Sequence, residues 1–380
     1  MTTTDAAGAA DPASAAGDHA VAPGAENPQL VSLKSGDRVA VTGAAGFIGS
    51  AITRVLLARG AAVVALVAPG GDERNLDDID VERHTGDVRD AEGIRAAVKG
   101  CRFVFHTAAI YGFWAPNPAV FYDVNVGGTR NVLDAVAHAG CERMVYTSTV
   151  GTIGLDRTRG GEPADEDCFA DIAHLFGLYK RSKYVAEHEV LRAAAQGAPV
   201  TLVLPTFPLG QRDRRPTPTG KLVVDFLNGK IPGYVDTSLN VAHVNDLAAA
   251  HLLALERGAT GRSYIAGGEN LSMGDLLAAM AAITGLPAPT RQFPRSFALA
   301  AGIVSDYVEG RLLRREPFVA MEAARMSTTN MVFDDSRARR ELGYTSRPAT
   351  DAIADSARWF VEHGYVNAAR RSRLAWAARP

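Results

Sequence analysis

Tyr179 and Lys183 stand four residues apart in "LYKRSKYVAEHEVL", a spacing that puts both side chains on one face of a helix. A cation beside a phenol favours the phenolate, and so lowers the phenol's pKa from its ordinary value of ~10. Such a tyrosine can give a proton to a developing alkoxide, or take one from an alcohol, near neutral pH. Alone, Tyr-x-x-x-Lys is a common pair on solvated helices. Its weight comes from "YTSTVGTIG", an apolar strand pattern that delivers Ser148 and Thr149 at its carboxyl end. A hydroxyl there can hold a substrate oxygen; Thr149 is expected in catalysis and Ser148 in a structural hydrogen bond.

Groups like these need a reaction partner, and "VTGAAGFIGSAITRVLLARG" describes a place for one. A short β-branched run turns through Gly43, Gly46 and Gly49 into a segment where Ile48, Ala51, Ile52, Val55 and Leu56 share a helical face, with Gly60 as a stop. Gly43 permits the tight turn, Gly46 lets backbone approach a pyrophosphate, and Gly49 lets helix and strand pack closely. The first gap is one residue longer than in Gly-x-Gly-x-x-Gly.

The elements that must carry both motifs alternate regularly. "RVAVTG", "AAVVALVA", "VERHTGDV", "RFVFHTAA" and "ERMVYTST" read as strands, with helical stretches near residues 90–99 and 123–139. Continuous apolar strands separated by helices predict an α/β fold of Rossmann type, a doubly wound parallel sheet covered on both faces. The expected organisation is a tail over 1–36, a dinucleotide-binding domain over 37–205, a smaller substrate-binding lobe over 206–366 that returns some segments to the sheet, and a basic tail over 367–380.

Past the second strand, "LVAPGGDERN" offers Ala68 where an acidic residue would hold the ribose 2′-hydroxyl of NAD. Arg74, a few residues on, could reach the 2′-phosphate of NADP, or could be a solvated loop arginine; the preference is for NADP over NAD. Asp87 and Val88 end the third strand where an adenine ring would rest, and Asp87 could equally serve as a turn or helix cap.

With 380 residues, 47% hydrophobic and 22% charged, the chain can bury a substantial core. A formal net charge of −2 gives no long-range attraction to nucleic acid or anionic membrane. Cys101, Cys141 and Cys168 are odd in number and unclustered, which indicates neither disulfides nor a metal site and suggests a reducing cytoplasm. The first residues lack the basic start and apolar stretch of a secretory signal.

The second lobe is less explicit. "GQRDRRPTPTG" gathers Arg212, Arg214 and Arg215, which could hold an anionic group or be a solvated loop. His243 precedes Asn245 and Asp246 at a helix start, where packing is the expected role. "SFALAAGIVSDYVEGRLL" is an amphipathic helix, with Phe297, Leu299, Ile303 and Val304 expected in the core rather than in a lid or a wall against a lipid substrate.

In this order "TGAAGFIG", "GDVRD", "HTAA", "YDVNVGGTRNVLDA", "YTSTVGTIG" and "YKRSK" resemble the extended short-chain dehydrogenase/reductase family over residues 38–365, most closely the hopanoid-associated sugar epimerase branch. The resemblance implies a Thr149, Tyr179 and Lys183 triad, with Asn125 supporting the active-site helix. It also implies Gly43, Gly46, Phe47, Ile48 and Gly49 at the pyrophosphate, Asp87 and Val88 at adenine, and Thr107, Ala108 and Ala109 along an NAD or NADP cofactor. Many relatives dimerise through a four-helix bundle, so a homodimer is implied. Two positions depart from the pattern. That branch carries arginine at Ala68, and nucleotide-sugar epimerases carry asparagine where "LPTFPLG" has Phe207. In the second respect the chain looks like the dihydroflavonol reductases, which reduce ketones with NADPH.

The expected chemistry is hydride transfer at a secondary alcohol or ketone. An epimerase and a reductase would use the same three groups. A protein that only senses dinucleotides is the alternative of another class, and such proteins typically lose the tyrosine or the lysine.

Overall fold

The structure is a computed structural model that describes residues 30–155, 162–313, 315, 317 and 321–376. Most of the tail expected over 1–36 lies outside these residues, yet Leu33 is buried in the core.

The amino-terminal half winds β1 (Arg38–Thr42), α1 (Phe47–Ala58), β2 (Ala62–Val67), β3 (Glu82–Thr85), α2 (Ala91–Val98) and β4 (Phe103–His106). There follow α3 (Val120–Tyr122), a π-helical stretch over Asp123–Gly128, α4 (Thr129–Ala139), β5 (Arg143–Thr147), α5 (Leu178–Ala195) and β6 (Val200–Pro205). All pair in parallel in one seven-stranded sheet of order β10-β6-β5-β4-β1-β2-β3, where β10 is Ser263–Ala266. Phe103, Phe105, Val39 and Val41 are fully buried on central strands, each large side chain contributing about 1.5–3 kcal/mol. The edge strand β3, "ERHT", is largely exposed and charged, which discourages further pairing.

The second lobe adds β7 (Phe207–Leu209), α6 (Pro218–Leu227), β8 (Tyr234–Val235), β9 (Ser238–His243), α7 (Val244–Arg257), β11 (Glu269–Ser272) and α8 (Met273–Thr284). Then come β12 (Gln292–Phe293), α9 (Arg295–Ser305), α10 (Met321–Met326), α11 (Ala349–Glu362) and α12 (Ala368–Arg371). Two of these segments return to the first lobe: α7 packs on α1, and β10 joins the large sheet beside β6.

Two expectations are corrected. Residues 367–376 are not a free tail: Leu374 is buried, Asn367 caps α12, and the Ala375 amide donates to Thr284 O at 2.9 Å. Nor is α9 core, since Gly302 is its one buried residue and Phe297, Ile303 and Val304 are all more than half exposed. Its apolar face leans on α10, and Phe297 stacks on Phe293 of β12 at 4.9 Å. No helix among the described residues is long and apolar enough to cross a membrane.

Candidate active site

The glycine turn is shaped by what no side chain could share. Gly43 has φ +68°, and a Cβ there would lie 2.9 Å from the backbone of Ala108. A Cβ on Gly49 would overlap the Gly43 carbonyl oxygen, so only glycine allows α1 to start against β1. Gly46 is the N-cap of α1, whose first turn, Phe47 and Ile48 included, carries no acidic residue. The positive end of the helix dipole is therefore left for an anion. This cradle fits a dinucleotide pyrophosphate. Its far wall is Thr107 and Ala108, both fastened to Thr42: Thr107 Oγ1 donates to Thr42 O at 2.6 Å and the Ala108 amide to Thr42 Oγ1 at 3.2 Å. Ala109 continues the same segment.

From Thr42 a buried polar chain runs to α5, which carries Tyr179 and Lys183. His106 Nδ1 lies 2.7 Å from Thr42 Oγ1, and its Nε2 lies 3.0 Å from Thr129 Oγ1. Because Thr129 Oγ1 must donate to Asn125 O (2.6 Å), it accepts from His106, which assigns the proton to Nε2. Burial, with help from Lys183, drives this imidazole down to about 3, so it is neutral. Asn125 accepts from the Ile110 amide at 2.8 Å and donates to Ile110 O at 3.2 Å and Ser182 Oγ at 2.9 Å. It thereby ties the strand-end loop to α5 between Tyr179 and Lys183.

Thr149 and Tyr179 converge at the carboxyl end of β5. Tyr179 is in the first turn of α5, and the Thr149 hydroxyl lies near enough to its phenol to favour the phenolate. Thr149 is held by the Gly151 amide, which donates to Oγ1 at 3.0 Å, and by Thr152 Oγ1, which donates to Thr149 O at 2.7 Å. Ser148 donates to Glu187, as does Thr152 Oγ1 at 2.8 Å. Burial pushes the Glu187 carboxyl up, and those two hydroxyls oppose the shift.

The expectation that Lys183 lowers the Tyr179 phenol is corrected. Lys183 Nζ donates to Tyr146 Oη and Thr147 O, both at 2.8 Å. Burial instead raises Tyr179 well above 10, Tyr111, Tyr146 and Glu322 add to the rise, and Thr149 opposes it. Burial also lowers Lys183 to about 7, against the pull of Glu187. The tyrosine is thus a protonated donor at neutral pH, with the Tyr111 ring edge-on at 4.8 Å.

Away from the chemistry, Arg74 is held by Asp72 through Nε at 2.8 Å and Nη2 at 2.6 Å. Asp87 Oδ1 accepts from the Arg89 amide at 2.9 Å in a turn, and Val88 is buried beneath Gly128. The Arg212 loop is not solvated slack. Arg212 pairs with Asp78 at 2.8 Å, and buried Asn75 donates to both Arg212 O and Ala45 O, clasping this loop to the glycine turn. His243 caps α7 by accepting from the Asn245 amide at 3.0 Å, which is a packing role. Phe207 stands on β7, half-buried.

Beside Thr149, a cavity of about 540 Å³ opens between the β5–α5 loop and the α9–α10 pair. Its walls include Val150, Leu175, Phe176, Ile303, Met321 and Met326, with buried Glu322 and half-buried Lys180 among the polar members. Sequence reasoning missed Glu322, Glu187, Asn75 and Tyr111. Only Glu187 carries a local signal, since it follows Lys183 by four residues on the same face of α5.

A glycine cradle for a pyrophosphate, joined by a buried relay to a Thr–Tyr–Lys cluster, defines a dinucleotide-dependent oxidoreductase. The chain belongs to the NAD dependent epimerase/dehydratase family, whose family model matches residues 39–267. A Synechocystis sp. protein carrying the name dihydroflavonol 4-reductase is 42% identical over 330 residues, 86% of this chain and 95% of the relative. Sterol demethylase protein B of Methylococcus capsulatus is 34% identical over 328 residues, 86% of this chain and 99% of the relative. The crystal structure of gox2253 superposes with a TM-score of 0.78 at 42% identity, covering 87% of this chain and 100% of that one.

Proposed function

We propose that this oxidoreductase works as a reductase, delivering hydride to the ketone of a largely apolar substrate and exchanging its cofactor at each turnover. The observation that carries the reading is a protonated, buried Tyr179 whose chain neighbour Lys180, with Val150 next to Thr149, lines a largely apolar cavity. Bound nicotinamide supplies the hydride. Thr149 Oγ1 orients the substrate oxygen and Tyr179 Oη gives that oxygen its proton. Lys183, anchored on Tyr146 and Thr147 O, holds its cationic end at the cofactor-facing side of α5. Phe207 in place of an asparagine, and relatives named for dihydroflavonol and sterol chemistry, favour an apolar substrate over a sugar nucleotide.

NADP is the cofactor of this reading, on Arg74; Asp72 beside it and the NAD-dependent name of the family favour NAD. Homodimerisation and a cytoplasmic location complete the proposal. The test is the nucleotide content of protein purified without added cofactor and then denatured, read by mass spectrometry. An empty site that titrates with NADPH supports an exchanging reductase. About one NAD per chain would contradict it and favour an epimerase that regenerates its cofactor in place.

A further inference from the structure

Glu322 is 4% exposed on α10, and neither of its carboxyl oxygens has a hydrogen-bond partner. An ionisable group buried so completely is normally paired or hydrogen-bonded. It lines the cavity at Thr149, close enough to the catalytic cluster to raise the Tyr179 phenol. Lys180 lines the same cavity and acts on Glu322 through its charge. Burial pushes the carboxyl up and the ammonium down, and each group opposes the other's shift. The space Glu322 occupies is made for it: a Cβ on Gly177, at φ +94°, would overlap its Oε2.

We propose that Lys180 and Glu322 together anchor a hydroxyl group of the substrate, one that lies apart from the carbon reacting at Tyr179. The inference rests on the reductase reading and names its substrate class, a hydroxy-ketone with an apolar skeleton. A hydroxyl is the group that suits both partners, accepting from Lys180 Nζ while donating to the Glu322 carboxylate. A substrate carboxylate would set a second acid beside Glu322, and a substrate ammonium a second base beside Lys180, whereas a hydroxyl adds no charge to the buried pair. Most of the remaining lining is apolar, with His174, Arg325, Thr328 and Thr329 as further polar members, so the skeleton of the molecule is held mainly by burial.

The test uses methyl ketones from 2-pentanone to 2-nonanone, each beside its ω-hydroxy counterpart, with NADPH and the full chain. The expected result is a preference of about tenfold or more in kcat/KM for the hydroxy-ketone at one chain length. Glu322→Leu and Lys180→Met bring that ratio near one, and Glu322→Gln, which can still accept, retains part of it. Glu322→Gln also melts no lower than wild type, because the carboxyl makes no hydrogen bond within the protein. The proposal is overturned by a wild type without preference at any length, by a preference that persists in Glu322→Leu, or by a sharp fall in Tm in Glu322→Gln. If neither ketone of any pair turns over, the reductase reading fails. Calorimetric binding of each pair to NADP-loaded protein then decides the anchor alone, by the same ratio.

Discussion

Lys183→Met probes the buried cation at the centre of the site. In the folded protein this ammonium is lowered from 10.5 to about 7, chiefly by burial. A depressed folded pKa means that the lysine favours the folded state most above 10.5, and that this contribution is lost as pH falls toward 7. At about 1.4 kcal/mol per pKa unit, the whole interval amounts to roughly 5 kcal/mol. Between pH 7.5 and pH 9.0 it amounts to about 2 kcal/mol. Methionine keeps an unbranched chain without the charge. Its loss of the bonds to Tyr146 Oη and Thr147 O costs much the same at either pH. Glu187 works in the same sense: its carboxyl is raised by burial and lowered by Lys183, so removing the cation makes the variant lose more stability with rising pH. Wild type should therefore gain on Lys183→Met by about 3 °C in Tm over that window, given the melting entropy of a chain this long. Scanning calorimetry of both proteins at the two pH values measures it. A difference that stays constant, or that shrinks as pH rises, would refute the assignment of Lys183 as a desolvated cation.

Three further outcomes follow from the geometry. Gly49→Ala drives a methyl group into the Gly43 carbonyl, which should cost about 1–3 kcal/mol in stability and weaken NADPH binding at least about tenfold, as read by thermal unfolding and by fluorescence titration. Arg74→Ala should move the NADPH/NADH ratio of kcat/KM toward NADH, and Asp72→Asn should move it the other way, each by about tenfold, the worth of one charge-assisted contact. With the Tyr179 phenol well above 10, kcat/KM for ketone reduction should stay flat to about pH 9, while alcohol oxidation climbs over the same range as phenolate becomes accessible. A pH-rate profile in each direction checks this.

The glycine turn, the apolar strands and the Tyr179–Lys183 spacing were legible because each is local. A tight turn, a two-residue or a helical period, and a four-residue offset are all written in consecutive residues. Thr149 could be read from its place at a strand end. What the sequence did not disclose is non-local. Glu322 comes from the second lobe to lie on Gly177, and Asn75 joins Ala45 to Arg212 across two loops. The direction of the Lys183 ammonium depends on Tyr146, a core position whose hydroxyl no periodicity can orient. Helix α9 misled for a related reason: its pattern is amphipathic, but whether an apolar face meets core, cavity or water is decided by neighbours far along the chain.

Deuteride transfer tests the central claim most directly. Wild type and Tyr179→Phe are incubated with NADPH carrying deuterium at both C4 positions and the ketone panel, and the product alcohol is analysed by mass spectrometry. The account predicts one deuterium at the new carbinol carbon with wild type. It also predicts a fall of about 10²–10⁴-fold in product formation for Tyr179→Phe, with NADPH binding retained. Unlabelled alcohol, or a phenylalanine variant that reduces ketones as fast as wild type, would contradict it.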